Sequence, residues 1–305
     1  MKRILVTGAS GFVGRALVAH LAGSGYAVRA ASRKPLPKGE GVESVPSPDL
    51  AGKQDWTTLL RGVDAVVHAA AIAHTGGIDE ARYDSVNHLA VLALAQAAQG
   101  RVERLVFLSS IRAQSGASAA RVLTEADAPE PLDAYGRSKL AAEEGLRRMG
   151  ARAVILRPVL VVGSQPSGNL ATMLRLARLN LPLRLDGLAA RRSIVARDDL
   201  CRAVVHALQG RAEIGETYIV AHPDPISIGE MFAALRQGLG RRPGGVSVPG
   251  PLLRGLMALP VLRAQRDNLL GDLVVSPAKL MATGFTPMVA PHAAMLQMAT
   301  NGVRS

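Results

Sequence analysis

The sequence predicts an α/β protein: a doubly wound parallel sheet with a smaller, mainly helical C-terminal lobe. Three observations carry this. Short apolar, β-branched runs alternate with helical stretches through the first half of the chain, the pattern that parallel crossovers require. The first run, Lys2-Arg-Ile-Leu-Val-Thr7, opens directly into Gly8-Ala-Ser-Gly11-Phe-Val-Gly14 and then into the helical stretch 15–22. Beyond Gly163 the alternation gives way to helices joined by Pro/Gly-rich connections at 222–225, 240–251 and 284–291.

Taken in order, Arg3–Thr7 and Ala27–Ser32 are the first two strands, separated by the helix that the glycine turn starts. A Pro/Gly-rich loop over 35–41 leads to a short strand over 42–45. A helix near 56–60 precedes Ala65–His68, which reads as a buried strand. A long helix over 84–99, a strand over 106–109, a helix over 134–149 and a strand at Ala153–Pro158 complete the series. Four successive crossovers argue against a bundle or a sandwich. Crossovers of this kind bring ligands to the carboxyl ends of the strands. The glycine turn, His68-Ala-Ala, Ser109-Ser110 and Arg157-Pro158 all fall there.

The glycine turn is chemically suggestive, because such a turn lets backbone approach a pyrophosphate and meet its charge with free N–H groups and the helix N-terminus. A dinucleotide-binding domain is therefore expected over 1–163, with 188–222 returning to it, and a substrate lobe over 164–305. Within the lobe, Gly168 opens a helix to about residue 179, a loop carries Arg191 and Arg192, and Asp198-Asp199 caps another helix. The apolar stretch 251–262 is too short to span a bilayer and is cut by Arg254 and Pro260, so packing is expected for it.

Composition narrows the classes. At 305 residues, 48% hydrophobic and 20% charged, the chain can bury a large core. No apolar run reaches the ~18 residues of a spanning helix, and a strand beginning at the second residue leaves no room for a signal peptide. A cytoplasmic protein without membrane insertion is expected. The net charge of +12 comes almost wholly from scattered arginines, with lysine only at 2, 34, 38, 53, 139 and 279. No zinc-finger spacing, aromatic platform or basic helix accompanies it, so nucleic acid is not an expected partner, although the charge suits an anionic substrate. Cys201 stands alone, which excludes an intrachain disulfide or a cysteine cluster and suggests a packed core residue. The seven histidines lack metal-binding spacing. His68 and His88 are expected to be structural, and no metal is expected.

Tyr135-Gly-Arg-Ser-Lys139 puts a phenol and an ammonium one helical turn apart on one face. An ammonium beside a phenol favours the phenolate, which suits acid/base work near neutral pH. At the end of the second strand, Ser32-Arg33-Lys34 stands where an NAD-preferring protein usually offers a carboxylate. A guanidinium there can pair with a 2′-phosphate, so NADP(H) is favoured and NAD(H) remains the alternative.

Thr7-Gly8-x-x-Gly11-x-x-Gly14, Ser109-Ser110, Tyr135-x-x-x-Lys139 and Arg157-Pro158 together resemble the extended short-chain dehydrogenase/reductase family, the NAD-dependent epimerase/dehydratase group, over nearly the whole chain. The resemblance implies a Rossmann-type domain. Within the group, Phe107-Leu-Ser-Ser-Ile-Arg, Pro131-x-x-Ala-Tyr-Gly-Arg-Ser-Lys and Arg191-Arg-Ser-Ile-Val most resemble UDP-N-acetylquinovosamine 4-dehydrogenases, which reduce a UDP-4-keto sugar in polysaccharide synthesis. It implies Tyr135 as acid/base group, Lys139 as the residue that lowers its pKa and binds the nicotinamide ribose, and Ser110 as a hydrogen-bond partner of the sugar oxygen. Ser109 is open between a site role and strand-end capping, and Asn87 matches a supporting asparagine.

For the cofactor, the resemblance implies contacts from Gly8, Ser10, Gly11, Phe12, Val13, Gly14, Ser32, Arg33, Asp49, Leu50, Ala69, Ala70, Ala71 and Pro158 besides the catalytic pair. For a nucleotide sugar it implies Asn169, Leu170, Arg191 or Arg192, and Arg266 as a second arginine for the diphosphate. The Ser193-Ile-Val that follows Arg192 departs from the Asp-Tyr/Phe-Ile of many epimerases, leaving Arg191 and Arg192 unseparated. The implied activity is reduction of a UDP-4-keto-6-deoxy-N-acetylhexosamine at C4 by a homodimer. A UDP-hexose 4-epimerase with tightly bound NAD and a non-catalytic dinucleotide-binding protein are the alternatives.

Overall fold

The structure is a computed structural model describing residues 1–37, 39–73, 77–179, 183–185, 187–241, 246–247 and 270–301. Six strands follow the predicted series: β1 (Arg3–Thr7), β2 (Ala27–Ser32), β3 (Val42–Pro46), β4 (Ala65–His68), β5 (Arg104–Leu108) and β6 (Ala153–Pro158). Seven shorter ones follow: β7 (Leu160–Val162), β8 (Leu183–Arg184), β9 (Arg191–Arg192), β10 (Ile194–Ala196), β11 (Thr217–Val220), β12 (Ile226–Ser227) and β13 (Val246–Ser247). The main sheet is parallel throughout, in the order β11-β6-β5-β4-β1-β2-β3. Strand order reverses between β1 and β4, and a doubly wound sheet opens its ligand crevice at the carboxyl ends beside such a reversal.

Alternate side chains of the strands serve opposite faces. Ile4, Val6, Val106 and Val154 pack with Leu17 and Leu21 of α1 (Phe12–Gly23). Leu5, Val66, Phe107 and Ile155 pack on the other face with Trp56, with Leu59 and Leu60 of α2 (Thr57–Leu60), and with elements further along the chain. Those elements are a helical segment made of α3 (Glu80–Asp84), a π-helical turn (Ser85–Leu89) and α4 (Ala90–Ala98), followed by α5 (Ala134–Arg148). Leu94 of α4 and Leu146 of α5 are fully buried in this face. Each such side chain contributes about 1.5–3 kcal/mol through burial.

The second lobe has its own core. Leu170 and Leu174 of α6 (Gly168–Arg178) meet Met231, Phe232 and Leu235 of α8 (Ile228–Gly238) and Met295 and Met298 of the helix Pro291–Asn301. Between them in sequence, α7 (Arg197–Leu208) returns to the sheet, where Leu200, Cys201 and Val204 join the α1 face. Leu273, Val275, Leu280 and Phe285 pack there too.

Two elements differ from the sequence reading. The helix expected over 84–99 begins at Glu80, where Asp79 caps it by accepting from Ala81 N, and it widens into the π turn around Asn87. Asp198-Asp199 do not cap α7: the N-cap is Ala196, and Asp199 is buried, accepting instead from the backbone N–H groups of Met288 and Val289. The stretch 251–262 lies outside the described residues.

Candidate active site

The glycine turn is fixed by contacts that only missing side chains permit. Gly8 has φ +68°, and a Cβ on it would lie 2.6 Å from Ala70 Cα. On Gly14 a Cβ would lie 2.0 Å from Gly8 O. Gly11 N donates to Gly8 O at 2.9 Å, and Gly11 is the N-cap of α1 without a side-chain cap. The first helical bond closes only at Arg15, whose N–H donates to Gly11 O. Phe12, Val13 and Gly14 therefore point N–H groups without a carbonyl one turn back toward the crevice, the donor set that a pyrophosphate needs. The residues present fit a dinucleotide.

The remaining predicted cofactor residues lie at carboxyl ends of neighbouring strands. Ser32 ends β2 and Arg33 follows it, where Ala9 N donates to Ala31 O at 3.1 Å. Ser32 is buried and its hydroxyl donates to Lys34 O, whereas Arg33 is exposed and forms no ion pair with a described residue. Asp49 and Leu50 follow β3, Asp49 exposed and Leu50 half-buried. Ala69, Ala70 and Ala71 follow β4, and Pro158 ends β6. His68 is buried with Nδ1 2.9 Å from Thr7 Oγ1, and burial with the Lys139 charge pushes it down to about 3, leaving it neutral.

Ser110, Tyr135 and Lys139 come together at the carboxyl end of β5. Asp133 caps α5 by accepting from Gly136 N at 2.6 Å, which sets Tyr135 in the first turn with Lys139 one turn below it. The Ser110 hydroxyl acts on the Tyr135 phenol and opposes the rise that burial imposes on its pKa. Lys139 is buried, donates to Leu108 O at 2.9 Å and lies 4.8 Å from the Phe107 ring centroid. Asn87 accepts from Ile72 N at 2.8 Å and donates to Ile72 O and to Ser138 Oγ. It thereby ties the loop after β4 to α5, and the π turn gives its side chain that reach.

The electrostatics correct one expectation. Tyr135 is not lowered in this protein: burial pushes its phenol up to about 12, opposed by the Ser110 hydrogen bond and the Arg112 charge. Burial also draws Lys139 down to about 7, with Glu143 opposing. Both groups have left water, and each is biased toward its neutral form.

Beneath Lys139 sits a buried network that the sequence reading did not foresee. Arg157 donates to both oxygens of Glu143, at 2.9 and 2.6 Å, and to Gln114 Oε1 at 2.9 Å. Ser109 Oγ donates to Glu143 Oε1 at 2.5 Å, which gives Ser109 a structural role distinct from that of Ser110. Two signals were available: Glu143 extends the Tyr135/Lys139 face by one more turn, and Arg157 interrupts an apolar strand.

The substrate residues divide. Leu170 is buried in the second core and Asn169 is exposed at the start of α6. On β9, Arg192 is buried, donates to Ala117 O and sits close enough to Arg112 to feel its charge, while Arg191 is exposed and donates to Pro225 O at 3.3 Å. Strand alternation thus separates two arginines that the sequence left equivalent, and points only Arg192 inward. Arg266 lies outside the described residues. Among the described residues no His/Cys/Asp/Glu cluster could hold a metal, and no helix is long and apolar enough to cross a membrane.

Fold and site together define a dinucleotide-dependent enzyme, and the chain belongs to the NAD dependent epimerase/dehydratase family, whose model matches residues 4–221. Its cofactor is a nicotinamide dinucleotide, NAD or NADP, and its relatives include nucleotide-sugar epimerases and reductases. The UDP-glucose 4-epimerase of Vibrio cholerae is 31% identical over 260 residues, covering 81% of this chain and 79% of that enzyme. A UDP-2-acetamido-2,6-beta-L-arabino-hexul-4-ose reductase of Pseudomonas aeruginosa is 29% identical over 241 residues, 76% of this chain and 56% of that protein. Among solved structures, RMD from Pseudomonas aeruginosa complexed with NADPH superposes with a TM-score of 0.74 at 23% identity, covering 100% of both chains.

Proposed function

We propose that the protein reduces a UDP-4-keto-6-deoxy-N-acetylhexosamine at C4, using NADPH, in polysaccharide precursor synthesis. The observation that carries this is the Ser110–Tyr135 hydroxyl pair at the carboxyl end of β5, with the phenol held in its acid form. NADPH would supply the hydride that adds to the C4 carbonyl carbon. Tyr135 then gives its proton to the carbonyl oxygen as that oxygen gains charge, and Ser110 hydrogen-bonds the same oxygen. The raised pKa of the phenol keeps its proton available for this step. Arg33, exposed at the end of β2, supports the 2′-phosphate of NADPH, with Ser32, Asp49 and Leu50 around the adenine ribose and Ala69 to Ala71 and Pro158 along the remainder of the cofactor. The buried Arg192 beside Arg112 supports an anionic substrate head group, with Asn169 at its margin.

A 4-epimerase with bound NAD is the second reading, favoured by the 31% identity to the Vibrio cholerae enzyme. Both readings imply a cytoplasmic homodimer. Mixing the protein with the UDP-4-keto sugar and following NADPH and NADH separately decides between them. The reductase consumes NADPH in proportion to sugar, and Tyr135→Phe lowers that rate by about 10²–10⁴. Interconversion of UDP-hexoses with no net change in cofactor, and no oxidation of either reduced form, would sink the reductase reading.

A further inference from the structure

We propose that Arg112 is a positioning residue that holds the Ser110 and Tyr135 hydroxyls in register, its backbone tied to the serine and its guanidinium to the cap of the tyrosine's helix. Arg112 N donates to Ser110 Oγ at 3.2 Å. The serine oxygen accepts there, and its own proton is free to turn toward the Tyr135 phenol, whose pKa the serine lowers. At the other end of the same residue, Nε donates to Asp133 Oδ2 at 3.0 Å and Nη2 contacts the same oxygen. The second carboxylate oxygen of Asp133 accepts from Gly136 N and starts α5 two residues before Tyr135.

The carbonyl of Arg112 completes the clamp. A Cβ on Gly136 would lie 2.2 Å from Arg112 O, so the helix is pressed against this residue's backbone by the absence of a side chain. Loop and helix, which come from separate parts of the chain, are thus fixed to each other through one residue. The ion pair is about one-fifth exposed on each side, so it is partly shielded from water and salt.

The arrangement is also electrostatic. Among the described residues, the charged and titratable groups acting on the Tyr135 phenol include Asp133 before its helix, Tyr83 on α3, and Arg112 on the loop after β5; the first two raise its pKa and Arg112 lowers it. Lys139 shares its helix face. Arg112 and Asp133 therefore act in opposite directions while holding one another.

The inference rests on Tyr135 and Ser110 being the reacting hydroxyls, and its test needs no substrate. Tyrosine labelled at Cζ is incorporated into the full chain, the Tyr135 signal is assigned by its loss in Tyr135→Phe, and its chemical shift, which reports the hydrogen bonding and the field at the phenol, is read by NMR at neutral pH. Arg112→Met and Asp133→Asn are expected to move that signal in opposite directions, since asparagine keeps the cap but not the charge. The double variant returns toward the parent. In the assay that the cofactor and sugar define, Arg112→Met lowers kcat about tenfold with KM within about twofold, and Arg112→Lys recovers most of the loss, because both guanidinium contacts go to a single oxygen. Parent-like kcat and an unmoved Tyr135 signal in Arg112→Met overturn the proposal, as does a shift of the same sign in both single variants. Should Arg112→Met fail to fold, Arg112→Gln replaces it and the same two readouts decide. An inactive parent enzyme with the expected tyrosine shifts would overturn the substrate reading and leave the clamp standing.

Discussion

Replacing Lys139 with methionine should stabilise the protein while abolishing its activity, and the stabilisation should depend on pH. Lys139 is 2% exposed, and burial takes its ammonium from the ordinary 10.5 to about 7. The folded state therefore binds the proton less tightly than the unfolded chain does. Above pH 10.5 the amine is neutral in both states and nothing is lost. Below pH 7 it is charged in both, and the full cost of holding it in the core is present. Wild-type stability from this group thus rises with pH between about 7 and 10.5, by an amount on the order of 5 kcal/mol for a shift of this size. The hydrogen bond to Leu108 O offsets about 1–3 kcal/mol of any gain, and this part does not vary with the titration in the methionine variant. Urea unfolding of the cofactor-free proteins from about pH 6 to pH 10 measures the difference directly. Lys139→Met should be more stable by about 2–4 kcal/mol at the acid end, with the advantage shrinking toward the alkaline end. A difference that stays level within about 1 kcal/mol across this range would refute the reasoning, because it would mean that the lysine is not desolvated in the fold.

Three further outcomes are expected. Gly14→Ala forces a Cβ against the Gly8 carbonyl, so unfolding should show a loss of about 1–3 kcal/mol and calorimetry at least a tenfold loss of dinucleotide affinity. Glu143→Gln leaves the buried Arg157 charge without its ion-pair partner, and should cost about 3–5 kcal/mol in urea unfolding, with Lys139 becoming still harder to protonate. Arg33→Glu should lower NADPH affinity by about tenfold or more while leaving NADH affinity nearly unchanged; equal losses for both cofactors would remove the role given to this arginine.

The legible parts of this molecule are those set by local spacing. Strand, glycine turn and helix follow one another within the first 23 residues, and Tyr135 and Lys139 are one turn apart, so both could be read without knowing any distant neighbour. The pairing of Glu143 with Arg157 was not read, because it arises only when α5 packs against β6 and the arginine finds its carboxylate in a dry interface. The Tyr135 phenol could not be read either: spacing suggested a lowered pKa, but burial is a tertiary property, and here it outweighs the neighbouring charges. Strand β11 was hidden for a related reason. Thr217–Val220 is only four residues long, and it becomes a strand through its pairing with β6. Arg191 and Arg192 differ only in the face of β9 that each occupies, which is invisible until the strand is assigned.

One face of α5 explains how these pieces combine. Tyr135, Lys139 and Glu143 follow one another at intervals of four, so they descend the helix from the crevice to the interior. At the top, the phenol meets Ser110; at the bottom, Glu143 is locked by Arg157 and Ser109. The lysine between them is stabilised by a carboxylate whose charge is already shared with Arg157 and Arg147, and so it receives only part of that support. This accounts for an ammonium poised near neutrality instead of one fully charged or fully neutral. The buried pair therefore does more than join helix to strand: it limits the support that Glu143 gives to the Lys139 ammonium.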